Sequence, residues 1–279
     1  MEIKKKQFWG DKSLRSYVVP SEVRTIGDWA FAGCRELVRI ALPRGIEQIG
    51  RDAFQGCDKL EEAFVSHCEG SFCEATAWSE AERAGAGLMA LALRYFPDAS
   101  KLFAAMREGN SEWIGAWDEA CKKFLEEEEA VGFKPFLAGG EEDYEDAAKA
   151  LEEYCRKKRL IKAEMIYKRL AMMESCDPLD AAEGHGSSGS GCMRNVGTIR
   201  TFYEERLREN DMALEYLLII RQRPSLAVQI YDRAGVLTSE SIQKLLAKIP
   251  EEKVELRAAL LRIRNANGNS DIDFQQWML

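Results

Sequence analysis

The sequence predicts an α+β fold that is mostly α-helical, with a short solenoid of 23-residue repeats that continues into an α-helical repeat domain of stacked helix hairpins. Two observations support this prediction. Sequence motifs in residues 1–66 recur in register when the chain is shifted by 23 positions. After residue 66, the alternation typical of strands gives way to alanine, glutamate and leucine at helical spacing.

Size and composition indicate a globular protein with one elongated domain or two compact ones. The chain has 279 residues, 46% of them hydrophobic and 31% charged, and it lacks the run of about 18 apolar residues that a membrane helix needs. Residues 7–20 contain Asp11, Lys12 and Arg15 where a signal peptide would have an apolar core. The eight cysteines are scattered, which is typical of reduced thiols. We therefore expect a cytoplasmic protein, with the cell surface as the alternative if a leader has been removed.

The negative charge is concentrated in one stretch of the chain. Residues 1–66 carry 11 basic and 10 acidic side chains, whereas residues 108–153 carry 4 basic and 15 acidic ones, including Glu126 to Glu129. Such a field repels phosphate backbones and anionic lipid headgroups. The charge therefore disfavours nucleic acid and membranes as partners. A solvated helix face is a simpler explanation of the acidic run than a docking site for a basic partner.

The repeat is clearest in two consecutive copies, Ile26 to Leu37 and Ile49 to Leu60. They share isoleucine, glycine, alanine, phenylalanine, glycine, cysteine and leucine in register, and a less regular copy begins at Ile3. A coil of a solenoid must turn corners and bury one stripe of side chains against its neighbours. The repeated sequence is suited to both tasks.

Individual positions of the repeat have separate physical roles. Gly33 and Gly56 lie where the chain must turn sharply, a place where a side chain would strain the backbone. Phe31 and Phe54 are predicted to fill the inside of the coil, and Pro43 ends a short strand. That strand alternates, with its isoleucine and leucine directed inward and the intervening alanine outward.

The motif I-G-x-x-A-F-x-G-C-x-x-L-x-x-I-x-L-P resembles the BspA-like leucine-rich repeats of bacterial proteins. The resemblance covers residues 3–66, about a quarter of the chain. It implies a leucine-rich-repeat solenoid with a binding role, as in some cell-surface adhesins, and it names no ligand.

In such coils the strands lie side by side, so outward positions that are equivalent form ladders across the sheet. The two predicted ladders are Ser16, Arg39, Glu62 and Val18, Ala41, Phe64. Three strands spaced about 4.8 Å apart form a sheet whose area is smaller than a standard interface of about 800 Å² per partner. The predicted binding surface is therefore the groove where the repeats meet the helices, with Phe64 as its aromatic anchor beside Arg39, Glu62 and Ser16. A purely structural cap is the alternative.

The helical remainder is expected in three parts. Residues 67–176 form the first part, with candidate helices at 74–95, 98–108 and 111–129 and an antiparallel helix pair between 144 and 173. Residues 177–194 form a flexible glycine- and serine-rich loop that also looks like an engineered linker. Residues 195–279 form five further helices, whose pairs weakly resemble ankyrin-type repeats but lack the T-P-L-H tetrapeptide.

Trp113 and Trp117, spaced four apart in the third candidate helix, are interpreted as core residues first and as a binding hot spot second. Thr238 or Ser239 is expected to cap the helix at 239–248.

No reaction chemistry stands out. Cys57, His67, Cys68 and Cys73 have ligand side chains, but their spacing fits none of the usual zinc patterns. Neither a P-loop nor a dinucleotide-binding glycine motif occurs. We predict no catalytic residue, no metal and no cofactor.

The sequence therefore predicts a non-enzymatic scaffold for protein–protein interaction, with a protein partner of unknown identity and an undetermined oligomeric state. Two alternatives stay open. One is a bacterial surface adhesin or structural protein. The other is an enzyme whose site uses carboxylates of the helical domain, such as Glu119 or Glu153.

Overall fold

The computed structural model describes residues 1–66, 80–96, 99–108, 112–133, 142–175, 196–220 and 223–268. Short strands lie within the first 66 residues, and the other described elements are helices, which agrees with the predicted α+β, mostly α class. The chain divides into two compact units. Unit 1 is Met1–Phe124 with Met172–Asn195, and unit 2 is Leu125–Ala171 with Val196–Leu279.

The strands of unit 1 form two parallel three-stranded sheets. The strands are β1 (Glu2–Ile3), β2 (Ser16–Val18), β3 (Thr25–Ile26), β4 (Arg39–Pro43), β5 (Gln48–Ile49) and β6 (Glu62–Ser66). One sheet has the order β1-β3-β5 and the other the order β2-β4-β6. Paired residues lie one 23-residue repeat apart, so each strand lies beside the equivalent strand of the next repeat. We call residues 1–22, 23–45 and 46–66 coil 1, coil 2 and coil 3.

A stack of phenylalanines runs through the three coils. The rings of Phe8 and Phe31 lie 5.0 Å apart and nearly parallel, and those of Phe31 and Phe54 lie 5.1 Å apart. Phe31 and Phe54 are fully buried, which confirms their predicted place inside the coil. Phe8, in coil 1, is only half-buried.

The glycine and cysteine that follow each phenylalanine join neighbouring coils. Gly33 and Gly56 have φ values of +75° and +72°, which confirms the predicted sharp turn. The Cys34 thiol donates a hydrogen bond to the Phe8 carbonyl at 3.0 Å. The equivalent Cys57 thiol donates to the Phe31 carbonyl at 3.1 Å. The neighbouring Cys34 thiol and burial raise the pKa of Cys57, so this side chain stays protonated.

Three helices of unit 1 follow the strands: α1 (Glu80–Tyr95), α2 (Ala99–Arg107) and α3 (Glu112–Glu126), whose last two residues belong to unit 2. The indole N–H of Trp117 donates to the Leu88 carbonyl at 3.0 Å, and the Trp117 side chain is fully buried. Trp113 is also buried. The two tryptophans are therefore core residues, as the sequence predicts.

The first two helices cover the end of coil 3. Helix α1 packs against β6, and α2 packs against β5. The Ser100 hydroxyl accepts a hydrogen bond from the Ile49 amide at 2.9 Å and donates one to the Ile49 carbonyl at 3.0 Å. Arg107 donates to the carbonyls of Arg44 and Ile46. Because an edge strand exposes backbone groups that need partners, these side chains substitute for a further coil. The prediction that helices cover the last strand is confirmed.

Unit 2 contains most of one long helix, α4 (Glu142–Ser175), where the sequence predicted an antiparallel pair. That prediction is wrong. No glycine or proline interrupts the sequence from 142 to 175, and ion pairs one turn apart join Lys157 to Glu153 and Lys168 to Glu164.

Five shorter helices follow: α5 (Val196–Glu209), α6 (Ala213–Ile219), α7 (Pro224–Arg233), α8 (Ser239–Lys248) and α9 (Val254–Gly268). Thr238 caps α8, because its side chain accepts from the Ser241 amide at 3.1 Å and the Ser241 hydroxyl accepts from the Thr238 amide. Helix α9 packs against both α7 and α8. The predicted loop at 177–194 lies outside the described residues.

A row of side chains on α4 binds the turn that follows α3. Lys158 donates to the Glu127 carboxylate at 2.6 Å and to the carbonyls of Glu128 and Val131. Lys162 donates to the Glu127 carbonyl at 2.6 Å and to the Glu129 carboxylate at 2.8 Å, and it lowers the pKa of Glu129. The acidic run is therefore not only a solvated face, because two of its carboxylates neutralise buried lysines.

Candidate protein-binding surface

The first predicted ladder crosses the sheet β2-β4-β6 in register. Ser16 pairs with Arg39, and Arg39 pairs with Glu62. The Arg39 Nε atom lies 2.7 Å from the Glu62 carboxylate, and the Arg39 side chain is 47% exposed. Ser16 is exposed as well. A partner molecule can therefore reach Ser16 and the arginine, whereas the Glu62 side chain is only 20% exposed.

The second ladder is closed at two of its three positions. Val18, Ala41 and Phe64 pair in register as predicted, but Phe64 is only 4% exposed and Ala41 is buried as well. Phe64 lies on β6, the strand against which α1 packs. The expectation that Phe64 is an exposed aromatic anchor is therefore wrong, because the covering of the last strand buries it.

A second ion pair of the same kind lies just before the strands. Glu36 and Lys59 are also one repeat apart, and their charged atoms lie 2.7 Å from each other. The Lys59 ammonium donates a hydrogen bond to the Glu36 carboxylate and thereby lowers the pKa of Glu36. The two residues lie in turns and not on the sheet. This pair therefore offers a matched comparison for Arg39 and Glu62.

Coil 1 carries an exposed aromatic and basic cluster that the sequence analysis missed. Trp9 is 62% exposed, and the Lys6 ammonium lies 4.4 Å from the centre of its ring. The Lys5 ammonium lies 4.9 Å from the ring of Trp29. These distances are typical of cation–π contacts. The sequence signal for this cluster lies in the first repeat copy, where three consecutive lysines, Lys4 to Lys6, closely precede Trp9.

The carboxylates proposed for an enzyme site lie in surface ion pairs. Glu119 lies 3.0 Å from the Lys122 ammonium, and Glu153 lies 3.0 Å from the Arg156 guanidinium. Arg156 lowers the pKa of Glu153. A general acid at neutral pH needs a shift in the opposite direction. These two positions give the enzyme alternative no structural support.

The cysteine and histidine cluster is tested only in part. Cys57 is buried and donates its thiol proton within the coil, whereas His67, Cys68 and Cys73 lie outside the described residues. Within the described ranges, no group of three or more histidine, cysteine or carboxylate side chains could hold a metal ion.

Comparison with known proteins identifies one segment. The family described as BspA type leucine rich repeat region (6 copies) matches residues 1–76. This match supports the leucine-rich-repeat assignment of the amino-terminal segment, and such families typically mediate protein–protein interaction or adhesion without catalysis. The match does not reach the helices beyond this segment, so their ankyrin-like character stays a prediction.

Neither the curated proteins nor the solved structures that were searched contain a match to this chain. In the parts of the chain that the structure describes, none of the helices combines the length and apolar character needed to cross a membrane.

Proposed function

We propose that the protein is a non-enzymatic scaffold for protein–protein interaction. It binds a partner protein through the outward face of β2-β4-β6 and its junction with α1. The observation that carries this proposal is the ladder Ser16, Arg39 and Glu62, which aligns a hydroxyl, a cation and an anion on one sheet face. Polar side chains in fixed register give a partner a defined charge pattern to match.

The junction supplies the area that the sheet lacks. Three strands span too little surface for a standard interface, but α1 packs directly against β6, the last strand of this sheet. Phe64 is buried at this junction, on the strand that α1 covers. The repeat segment and these helices belong to the same compact unit, which favours a rigid binding surface.

A double charge reversal tests the proposed surface. The variant Arg39→Glu/Glu62→Arg keeps one cation opposite one anion, so the fold should persist, while the pattern that a partner meets is inverted. The control is Glu36→Lys/Lys59→Glu, which reverses an ion pair of the same spacing and length in the preceding turns. Each protein is immobilised and the proteins that it captures from a lysate of the source cells are identified by mass spectrometry.

We expect wild type and the control to capture the same partner and the Arg39→Glu/Glu62→Arg variant to lose about tenfold or more of it, because reversed charges at an interface repel. Circular dichroism shows whether each variant is folded. Equal capture by both folded variants would reject the ladder as the binding surface.

A bacterial surface adhesin or structural protein is the second candidate, and the family match favours it because adhesion occurs among such repeats. We propose a cytoplasmic location instead, supported by Cys34, Cys57 and Cys155, which form no disulfide in the described part of the chain. We also propose that α5–α9 form stacked helix pairs of the repeat type, supported by the packing of α9 on α7 and α8.

A further inference from the structure

The first and last coils of the repeat segment have different neighbours. Coil 2 has a neighbouring coil on each side, and coil 3 is covered by α1 and α2. Among the residues that the structure describes, coil 1 has a neighbouring coil on one side only, and its apolar side chains are correspondingly more exposed. They are half-buried where their equivalents one repeat later are fully buried. The pairs are Phe8 and Phe31, Leu14 and Leu37, Tyr17 and Ile40, and Val18 and Ala41.

The backbone at this end also has capacity for another strand. In the described sheet β2 pairs with β4 alone. The Val19 amide donates to the Ala41 carbonyl at 2.9 Å, so Val19 directs its backbone toward β4. Because successive residues of a strand alternate in direction, Val18 directs its N–H and C=O to the opposite side. That side is the free edge of the sheet, where an added strand would form hydrogen bonds.

The exposed charged side chains of coil 1 are mostly basic. Arg15 precedes β2, and Lys4, Lys5 and Lys6 follow β1, the other edge strand; all four are exposed. Coil 1 carries five basic and three acidic side chains, whereas the whole chain carries 39 and 47. The edge therefore has the opposite sign to the rest of the protein. Two copies that met edge to edge would bring like charges together, which disfavours self-association.

We propose that the free edge of coil 1 binds an extended acidic segment of a partner protein, which adds as a strand beside β2. Its backbone pairs with Val18, its apolar side chains cover the half-exposed Phe8 and Tyr17, and its carboxylates face the basic side chains. Strand addition gains affinity from main-chain hydrogen bonds and specificity from alternate side chains. This inference rests on the proposed protein-binding function but assigns a second surface, separate from Arg39 and Glu62.

The test uses the full chain and two short synthetic peptides with blocked ends. In one peptide valine alternates with glutamate, and in the other valine alternates with lysine. We expect the glutamate peptide to bind, the lysine peptide to bind at least about tenfold more weakly, and the hydrogen exchange of the Val18 amide to slow when the glutamate peptide is bound. Equal binding of the two peptides, or no binding of either, would overturn the proposal.

Two variants locate the binding site. Val18→Pro removes the outward N–H and leaves the bonds to β4, whereas Val18→Thr keeps the N–H and serves as its control. Lys12→Glu/Arg15→Glu changes only exposed side chains and so reverses the charge of a folded edge. We expect Val18→Pro and Lys12→Glu/Arg15→Glu each to lower the affinity for the glutamate peptide roughly tenfold. This is the effect of losing one good hydrogen bond or charge contact.

Unchanged binding in both variants would place the peptide elsewhere and overturn the proposal, as would dimerisation of the wild type through the same edge. The Arg39→Glu/Glu62→Arg variant should bind the peptide as wild type does. Loss of captured partner in that variant together with failure of the peptide assay would therefore reject the strand-addition site and leave the proposed function standing.

Discussion

Replacement of Phe31 by alanine is expected to lower the free energy of unfolding of the repeat segment by about 3–5 kcal/mol. The ring is fully buried, and it lies between the rings of Phe8 and Phe54 at 5.0 and 5.1 Å. Truncation removes the middle of the stack and leaves a cavity that two flat neighbours cannot fill. Hydrogen exchange followed by mass spectrometry measures the opening free energy of residues 23–66 without contributions from unit 2.

The control for this prediction is Phe8→Ala at the end of the same stack. Phe8 is half-buried and has a stacked ring on one side, so its loss should cost about 1–2 kcal/mol. An equal cost for the two substitutions would contradict the stacking account, because it would mean that position in the stack makes no difference.

The second large effect is expected in unit 2, where Lys158→Met should lower the free energy of unfolding by about 2–3 kcal/mol. The Lys158 ammonium is buried and donates to three acceptors, one carboxylate and two carbonyls, in the turn after α3. Methionine fills a similar volume but leaves these acceptors without their donor. Urea unfolding, monitored by hydrogen exchange of residues 127–133, measures the loss.

Lys157→Met provides the comparison on the next residue of the same helix. Lys157 is exposed and lies 3.6 Å from Glu153 in a surface ion pair, so its replacement should change stability by less than about 0.5 kcal/mol. If the two methionine variants unfold at the same urea concentration, the buried lysine does not hold the turn to α4.

The repeat could be predicted in detail because its motif is short and occurs in two consecutive, clear copies. Shifting the sequence by 23 residues gives the strand register directly, including the partners of Arg39 and the interior place of Phe31. Once the repeat copies are aligned, each residue of a parallel strand has only one possible pairing partner in the next strand. The same reasoning marked Gly33 and Gly56 as turn positions.

The errors concern contacts between distant parts of the chain. Phe64 occupies an outward position in its repeat, and only the packing of α1 against β6 shows that this position is closed. Lys158 and Lys162 have the sequence appearance of solvated helix residues, because their acceptors lie about 30 residues earlier. The sequence analysis divided α4 into two helices, although no glycine or proline interrupts the sequence from 142 to 175.

The most direct test of the proposed binding function is photo-crosslinking in the source cells. A benzophenone amino acid replaces Arg39 in the centre of the ladder, and in a separate variant it replaces Lys59, whose side chain is 57% exposed in the preceding turn. The account predicts a discrete crosslinked partner from position 39 and much less of it from position 59. Equal crosslinking from the two positions, or none from position 39, would contradict a protein-binding role for this sheet.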